Sequence, residues 1–310
     1  MLPSVYTIEV QSEYLLLHPD SNSDEAIQVE ITEKPSAYPV LKWAGGKQWL
    51  AVAAKHLLPP NWRGRYYETF LGGGAFFFAV QPSQATISDL NQELITTYQA
   101  IREEPERVIQ LLRTYPHDEE FYYTLRAKEP RKPHTIAARF LYLNHTCWNG
   151  LYRVNAEGRF NTPFGRYDNP TICDEERINS ASEALQHAQI EDGSFQNIVL
   201  TVQPGDFAYF DPPFITGHQN NGFLKYNKTL FSWADQENLA RHAIQLANAG
   251  VYVLVSNADY PAVINLYKGF YCYRAKRRSL IGGQANSRGI ITEALLSNYP
   301  LLGYETEVVQ

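Results

Sequence analysis

The stretch Phe207-Ala208-Tyr209-Phe210-Asp211-Pro212-Pro213-Phe214 constrains this chain more than any other. An apolar run ending in a carboxylate reads as a buried strand that delivers a polar group at its carboxyl end. In open α/β sheets, ligands bind at that end. Two prolines then remove two backbone donors and stiffen the turn. The carbonyls beside them become fixed acceptors, and the Phe214 ring is held as a platform. A carboxylate, a fixed carbonyl and an aromatic face suit a planar base with an exocyclic amino group. Such an amine donates two hydrogen bonds, and its ring stacks on the aromatic. The plainer alternative is a strand end with a structural Asp, and four residues alone do not decide between the two.

A second block lies upstream. Tyr67-Glu68-Thr69-Phe70-Leu71-Gly72-Gly73-Gly74-Ala75 is followed by Ile87-Ser88-Asp89-Leu90-Asn91. Glu68 to Asp89 reads as strand, glycine loop, helix, strand and acidic tip, half of a nucleotide-binding α/β unit. Glycines let the backbone approach a ligand that a Cβ would exclude. Asp89 stands 17 residues after Gly72, about where an acidic residue binds ribose hydroxyls. Asp89 could instead cap the helix beginning near Asn91.

With Lys42-Trp43-Ala44-Gly45-Gly46-Lys47 ahead of these blocks, the chain resembles the DNA adenine methylases of the Dam type. The resemblance runs from about residue 38 to residue 300. It also takes in Tyr142-Leu143-Asn144, Trp148-Asn149-Gly150-Leu151-Tyr152-Arg153 and the segment from Gly158 to Tyr167. Segments in one order are more specific than any of them singly. The family usually has Tyr where this chain has Phe214; stacking needs only a ring, so activity is expected to survive.

The resemblance implies a Rossmann-like S-adenosylmethionine-dependent methyltransferase core of α/β class, with an inserted helical and β-hairpin target-recognition domain. It implies methyl transfer from S-adenosylmethionine to the exocyclic amine of adenine in double-stranded DNA, on a flipped base, by direct attack and with no metal. The catalytic segment is Asp211, Pro212, Pro213 and Phe214. Asp211 and the Pro212 carbonyl would accept the amine protons and localise its lone pair. Trp43, Lys47, Phe70, Gly72, Gly74, Asp89 and Asp211 would line the donor site, with Asp89 on the ribose and Lys47 toward the methionine carboxylate. For recognition, Arg153 would read a guanine. Leu151 and Pro163 would pack on a thymine methyl. Lys42 and Tyr167 would lie near the first base of the site, Arg166 would belong to the same recognition set, and Trp148 would fill the space of the flipped base. Relatives with this pattern commonly read GATC, although His145 and Thr146 depart from that subgroup.

Net charge is −6, which at first opposes DNA binding. Residues 1–34 hold seven acids and one base, so the remaining chain is neutral and can carry a basic face. Arg274, Lys276, Arg277, Arg278 and, after the Gly282-Gly283-Gln284 loop, Arg288 form the candidate patch; a solvated strand edge is the other reading. Three scattered cysteines without metal-ligand spacing read as reduced thiols of a cytoplasmic protein. No apolar run approaches the ~20 residues of a membrane span, and the amino terminus has no basic region followed by an apolar stretch, as a secretory signal would.

Residues 1–37 read as an amino-terminal extension, either a hairpin or a partly disordered tail. Val5 to Val10 and Ile27 to Ile31 alternate as two short strands, with a loop from Pro19 to Asp24. Residues 38–90 and 176–310 form the expected catalytic domain, and 91–175 the DNA target-recognition domain. Helical spacing recurs at Leu94–Arg102, Pro105–Thr114, Glu119–Ala127 and His134–Leu143; after Gly150 the pattern becomes strand, turn and strand. Methylating one strand at a time needs no symmetric partner, so a monomer is expected. An amino-methyltransferase acting on cytosine or RNA, and a non-catalytic DNA-binding remnant, are rival readings. A nicotinamide-linked enzyme is disfavoured by GGGA in place of GxGxxG.

Overall fold

The computed structural model describes residues 6–11, 14–18, 27–31, 35–214, 231–278, 290–303 and 308–310. In chain order the strands are β1 (Thr7–Val10), β2 (Tyr14–His18), β3 (Ile27–Glu30), β4 (Tyr66–Glu68), β5 (Ala85–Asp89), β6 (Ala188–Asp192), β7 (Phe207–Phe210), β8 (Tyr252–Ala258), β9 (Tyr271–Arg278) and β10 (Ile290–Ser297). The α-helices are α1 (Gln48–Ala51), α2 (Ala75–Val80), α3 (Gln92–Glu103), α4 (Pro105–Thr114), α5 (Glu119–Ala127), α6 (Pro133–Thr146), α7 (Glu175–Leu185), α8 (Trp233–Asn248) and α9 (Pro261–Ile264). The protein is a mixed α/β fold. It divides into two compact units, the first made of Met1–Lys34, Trp49–Phe70 and Phe195–Gln310, the second of Pro35–Gln48 and Leu71–Ser194. These cuts fall elsewhere than the functional boundaries read from the sequence.

The first unit holds a sheet in the order β3-β2-β1-β9-β10-β8-β7-β4. β4, β7 and β8 are parallel, so their carboxyl ends share one edge, where Asp211 leaves β7. β10 runs antiparallel to both β8 and β9. All four residues of β7 are buried, as expected of a strand covered on both faces. On one face, Ala208, Phe210, Val253 and Val255 pack with Leu239, Ala243 and Leu246 of α8 in a single core. α8 opens with a capping box in which Ser232 and Asp235 satisfy each other's backbone N–H.

The amino-terminal segment contributes three strands. β1 pairs in parallel with β9, and β2 and β3 follow antiparallel. β2 was not expected, because Tyr14-Leu15-Leu16-Leu17-His18 shows no apolar alternation. Its burial does alternate: Leu15 and Leu17 are fully buried while Tyr14, Leu16 and His18 are half-buried. Val5 and the loop from Pro19 to Asp24 lie outside the described residues.

The second unit pairs β5 with β6 in parallel and surrounds them with helices. Asn91, Asp118 and Asp174 cap α3, α5 and α7 through their side chains. Pro105 and Pro133 stand in the first turns of α4 and α6, where a missing N–H costs nothing. Buried Arg139 of α6 pairs with Glu93 of α3 at 2.6 Å and also donates to the Leu125 and Arg126 carbonyls. The expected hairpin after Gly150 is closed by the single bridges Val154↔Phe160 and Cys147↔Phe164, not by a continuous ladder. Pro163 has no N–H to extend the pairing. Among the described residues, no helix is long and apolar enough to cross a membrane.

Candidate active site and nucleic-acid interface

In the second unit, the glycine loop is tied to the end of β5. Leu71 N–H bonds the Ser88 carbonyl at 3.1 Å, and Gly72 N–H bonds Asp89 Oδ2 at 2.9 Å. The other carboxylate oxygen, Oδ1, accepts the Asn91 N–H at 2.9 Å. Burial pushes the Asp89 carboxyl up from its ordinary value, and these backbone donors oppose that shift. The α3 cap is Asn91, whose Oδ1 accepts the Leu94 N–H at 3.1 Å. Asp89 is therefore not the side chain that caps α3.

Trp43 stacks on Tyr152, with centroids 5.5 Å apart at 22°, and on Phe140 at 6.4 Å and 26°. It also explains a glycine. A Cβ at Gly72 would stand 2.6 Å from the indole Nε1, and Gly72 has φ +48°. Gly74 has φ +67° and precedes α2 directly. Lys47 is not a surface lysine: it is 4 % exposed, and its Nζ donates to the Gly45 carbonyl at 3.0 Å.

Among the expected recognition residues of the same unit, Lys42 and Tyr167 are in contact. The Lys42 ammonium lies 4.7 Å from the centre of the Tyr167 ring and donates to the His145 carbonyl at 3.3 Å. Its stem crosses Gly150, where a Cβ would meet it at 2.7 Å. The Tyr167 hydroxyl donates to the Cys147 carbonyl at 3.0 Å. Trp148 is 55 % exposed, a large apolar side chain facing solvent. The Trp148 backbone N–H bonds the Pro163 carbonyl at 2.9 Å, and the Thr162 hydroxyl donates to the Leu151 carbonyl at 2.7 Å. Exposed Arg153 donates from Nε to Asn161 Oδ1 at 2.7 Å and from Nη2 to the Asn161 carbonyl at 3.2 Å. Arg166 is exposed.

The first unit carries the Asp211 segment. Asp211, Pro213 and Phe214 are half-exposed and Pro212 is buried. Asp211 Oδ1 accepts the Ser256 hydroxyl at 2.6 Å. The Pro213 carbonyl accepts Gln236 Nε2 at 3.4 Å. Phe70 stacks on Phe195 at 5.5 Å and meets Phe231 edge-on at 5.5 Å. In the expected basic patch, Arg274 Nε donates to both oxygens of Asp259, at 3.2 and 3.1 Å, so its charge is partly answered within the chain. The β1–β9 register sets Glu9 beside Lys276. Of Arg277 and Arg278 only the backbone is described, and Arg288 and the Gly282-Gly283-Gln284 loop lie outside the described residues.

Several residues at these sites were given no role by the sequence reading, although Asn144 lies in the Tyr142-Leu143-Asn144 segment quoted there. Asn144, 1 % exposed, accepts the Lys42 N–H and donates to the Lys42 and Gly150 carbonyls. Ser256, Asn257 and Gln236 are wholly buried. The available signal was polarity out of place: Ser256-Asn257 interrupts an otherwise apolar strand that ends at Ala258, and buried Asn144 closes the apolar run of α6.

Comparison with known proteins agrees with this architecture. The chain is 38% identical over 271 residues to the Type II methyltransferase M1.LlaDCHI of Lactococcus lactis subsp. cremoris, covering 84% of this chain and 95% of that protein. It is 33% identical over 285 residues to the Type II methyltransferase M.MjaIII of Methanocaldococcus jannaschii, covering 84% and 99%. It is 32% identical over 262 residues to the DNA adenine methylase of Serratia marcescens, covering 82% and 96%. Residues 43–281 match the family model of the D12 class N6 adenine-specific DNA methyltransferases, and the chain belongs to that family.

Proposed function

We propose that the chain methylates the adenine of GATC in duplex DNA, on a base swung out of the helix, with Asp211 as the catalytic carboxylate. One observation carries the reading of Asp211: it stands at the carboxyl end of buried β7 and is followed by two residues without N–H groups. Acceptors are thus gathered at the strand end where an amino group has protons to give.

The family's methyl donor is S-adenosylmethionine, which supplies a methyl already activated on a sulfonium. The glycine-loop cluster fits such a group. Asp89 has lone pairs beyond those taken by Gly72 and Asn91, suited to ribose hydroxyls. Leu90, 71 % exposed at the same strand tip, offers apolar surface to a purine. Lys47 provides a buried cation for a carboxylate, and Trp43 a half-exposed indole face.

At adenine, Asp211 and the Pro212 carbonyl accept the two amine hydrogens, which favours a pyramidal nitrogen with a localised lone pair. As the amine nitrogen attacked, the methyl–sulfur bond would break and the sulfonium would leave as a neutral thioether; the proton shed by the methylated nitrogen would pass to water, directly or by way of half-exposed Asp211. The Phe214 ring stacks on the base. Rate enhancement comes mainly from alignment, and fixed acceptors stabilise the positive charge that grows on the amine. Residues 91–175 serve as the reader. Arg153 contacts guanine, Leu151 and Pro163 pack on a thymine methyl, Lys42 and Tyr167 sit near the first base, and Arg166 belongs to the same recognition set. Trp148 fills the gap left by the flipped base.

The test is methyl transfer from labelled S-adenosylmethionine to unmethylated duplex DNA, with nucleoside analysis and mapping of the marks. N6-methyladenine in GATC is the expected result. Marks confined to another motif would remove the GATC assignment, label in methylcytosine would overturn the base, and transfer to RNA alone would overturn the duplex.

A further inference from the structure

We propose that Ser256 and Tyr209 are positioning residues that aim the Asp211 carboxylate, and that the next residue, Asn257, holds the other end of the same turn through Gln236. The inference rests on Asp211 being the catalytic carboxylate.

The β7–β8 register pairs Phe210 with Val255, which brings Asp211 level with Ser256. Ser256 Oγ lies 2.6 Å from Asp211 Oδ1 and 3.0 Å from the Tyr209 hydroxyl. A hydroxyl has one proton. An ionised carboxylate can only accept, so the Ser256 proton goes to Asp211. Tyr209 must then donate to Ser256, which fixes the direction of the chain: Tyr209 to Ser256 to Asp211. Tyr209 is suited to remain a donor, because burial and the nearby Asp211 charge push its phenol well above the ordinary value. Tyr209 is 1 % exposed and Ser256 0 %, so water does not compete at either group. Successive donors polarise one another in such a chain.

Strand alternation turns Asn257 to the opposite face. There its Nδ2 donates to Gln236 Oε1 at 2.9 Å, and Gln236 Nε2 reaches the Pro213 carbonyl at 3.4 Å. Asn257 and Gln236 are both 0 % exposed. Two consecutive residues of β8 therefore grip the segment Asp211–Pro213, one at the carboxylate and one at the last carbonyl. Neither grip touches substrate. Their effect is to fix the rotamer of Asp211 relative to the backbone of the proline turn, the arrangement on which alignment depends.

The experiment measures single-turnover methyl transfer on duplex DNA, together with DNA and donor affinity, for Ser256→Ala, Ser256→Thr, Tyr209→Phe and Asp211→Asn, each checked for native circular dichroism. A hydrogen bond to a charged group lost at the reacting carboxylate should slow the transfer step by roughly 10- to 100-fold in Ser256→Ala. Both affinities should stay within about twofold, as expected when only transition-state alignment is lost. Tyr209→Phe should show a smaller loss of the same kind, and Ser256→Thr should recover much of the rate. A transfer step unchanged in Ser256→Ala, with Asp211→Asn inactive, overturns the inference and leaves the reading of Asp211 standing. Equal losses in Ser256→Ala and Ser256→Thr with Tyr209→Phe unaffected would mark a packing role and overturn it as well. Full turnover in Asp211→Asn would remove the reading of Asp211 itself, and the inference with it.

Discussion

Asn144 holds Lys42 by both of its backbone polar groups: Oδ1 accepts the Lys42 N–H at 2.8 Å, and Nδ2 donates to the Lys42 carbonyl at 2.8 Å. The same Nδ2 also reaches the Gly150 carbonyl at 3.2 Å. One buried amide thus joins the segment before Trp43 to the turn at Asn149-Gly150. Asn144→Ala should cost about 2 kcal/mol in denaturant unfolding, since it leaves backbone groups without partners. Asn144→Asp should not rescue it, because a carboxylate would face two carbonyl oxygens. A midpoint unchanged in Asn144→Ala would mean that water replaces the amide without loss.

Asp89 and Asn91 divide two tasks that the sequence left together. Asn91→Ala removes the α3 cap and should lower stability by about 1 kcal/mol, with little change in donor affinity. Asp89→Ala releases the Gly72 N–H and removes the proposed ribose acceptor. Its expected effect, read by titration calorimetry with S-adenosylmethionine, is at least a tenfold weaker affinity, equivalent to about 1.4 kcal/mol. Equal affinity in the two variants would remove Asp89 from the donor site.

What could be read from the sequence follows from how local each signal is. The helices from Pro105 to Thr114 and from Glu119 to Ala127 appear with the expected bounds, because proline, caps and apolar spacing act within a few residues. β7 and its terminal carboxylate were legible for the same reason. β2 was not, since both of its faces are apolar and no alternation marks it. The partners of Lys42 and Asp211 lie 102 and 45 residues away in the chain. A single sequence shows that Asn144 and Ser256 are polar residues in apolar runs, and only the folded register shows what they hold.

Gly72 answers to a side chain as well as to its backbone angle. Gly45 and Gly72 both have positive φ, but a Cβ at Gly45 meets nothing within 4 Å while one at Gly72 would strike the Trp43 indole. Gly45→Ala should therefore cost about 1–2 kcal/mol from backbone strain alone. Gly72→Ala should cost about 1–3 kcal/mol more, because the indole stacked on Tyr152 has to move. Equal unfolding free energies for the two variants would refute a steric role for Trp43.

Arg153 already has both kinds of contact with one residue, the side chain and the carbonyl of Asn161. Under the proposed recognition scheme, this pairing holds the guanidinium ready and is exchanged for a guanine edge on DNA. Arg153→Ala should cost about 1–3 kcal/mol at the cognate site and relax sequence choice there. Sequencing the methyl marks left by the variant on genomic DNA checks this. Unaltered preference would take the hairpin out of the reader.

His145 gives the second unit a dependence on pH whose sign can be worked out. Its Nε2 lies 2.8 Å from the Val40 carbonyl and its Nδ1 3.2 Å from the Ile172 carbonyl. Burial lowers its pKa from the ordinary value; Lys42 and Arg177 lower it further, while the two carbonyls oppose the shift. The folded state therefore holds a neutral ring at a pH where the unfolded chain binds a proton. The unfolded pKa is about 6.5. Above it, His145 imposes no penalty; as pH falls below it toward the folded value, the unfolded state gains protons first and stability declines. Thermal unfolding should thus show the parent losing more stability between about pH 7.5 and pH 5.5 than His145→Gln, which cannot charge. The variant's lower stability at pH 7.5, from the altered contacts to Val40 and Ile172, is expected and does not bear on the difference in slope. Parallel pH profiles for the two proteins would mean that the ring titrates alike in the folded and unfolded states.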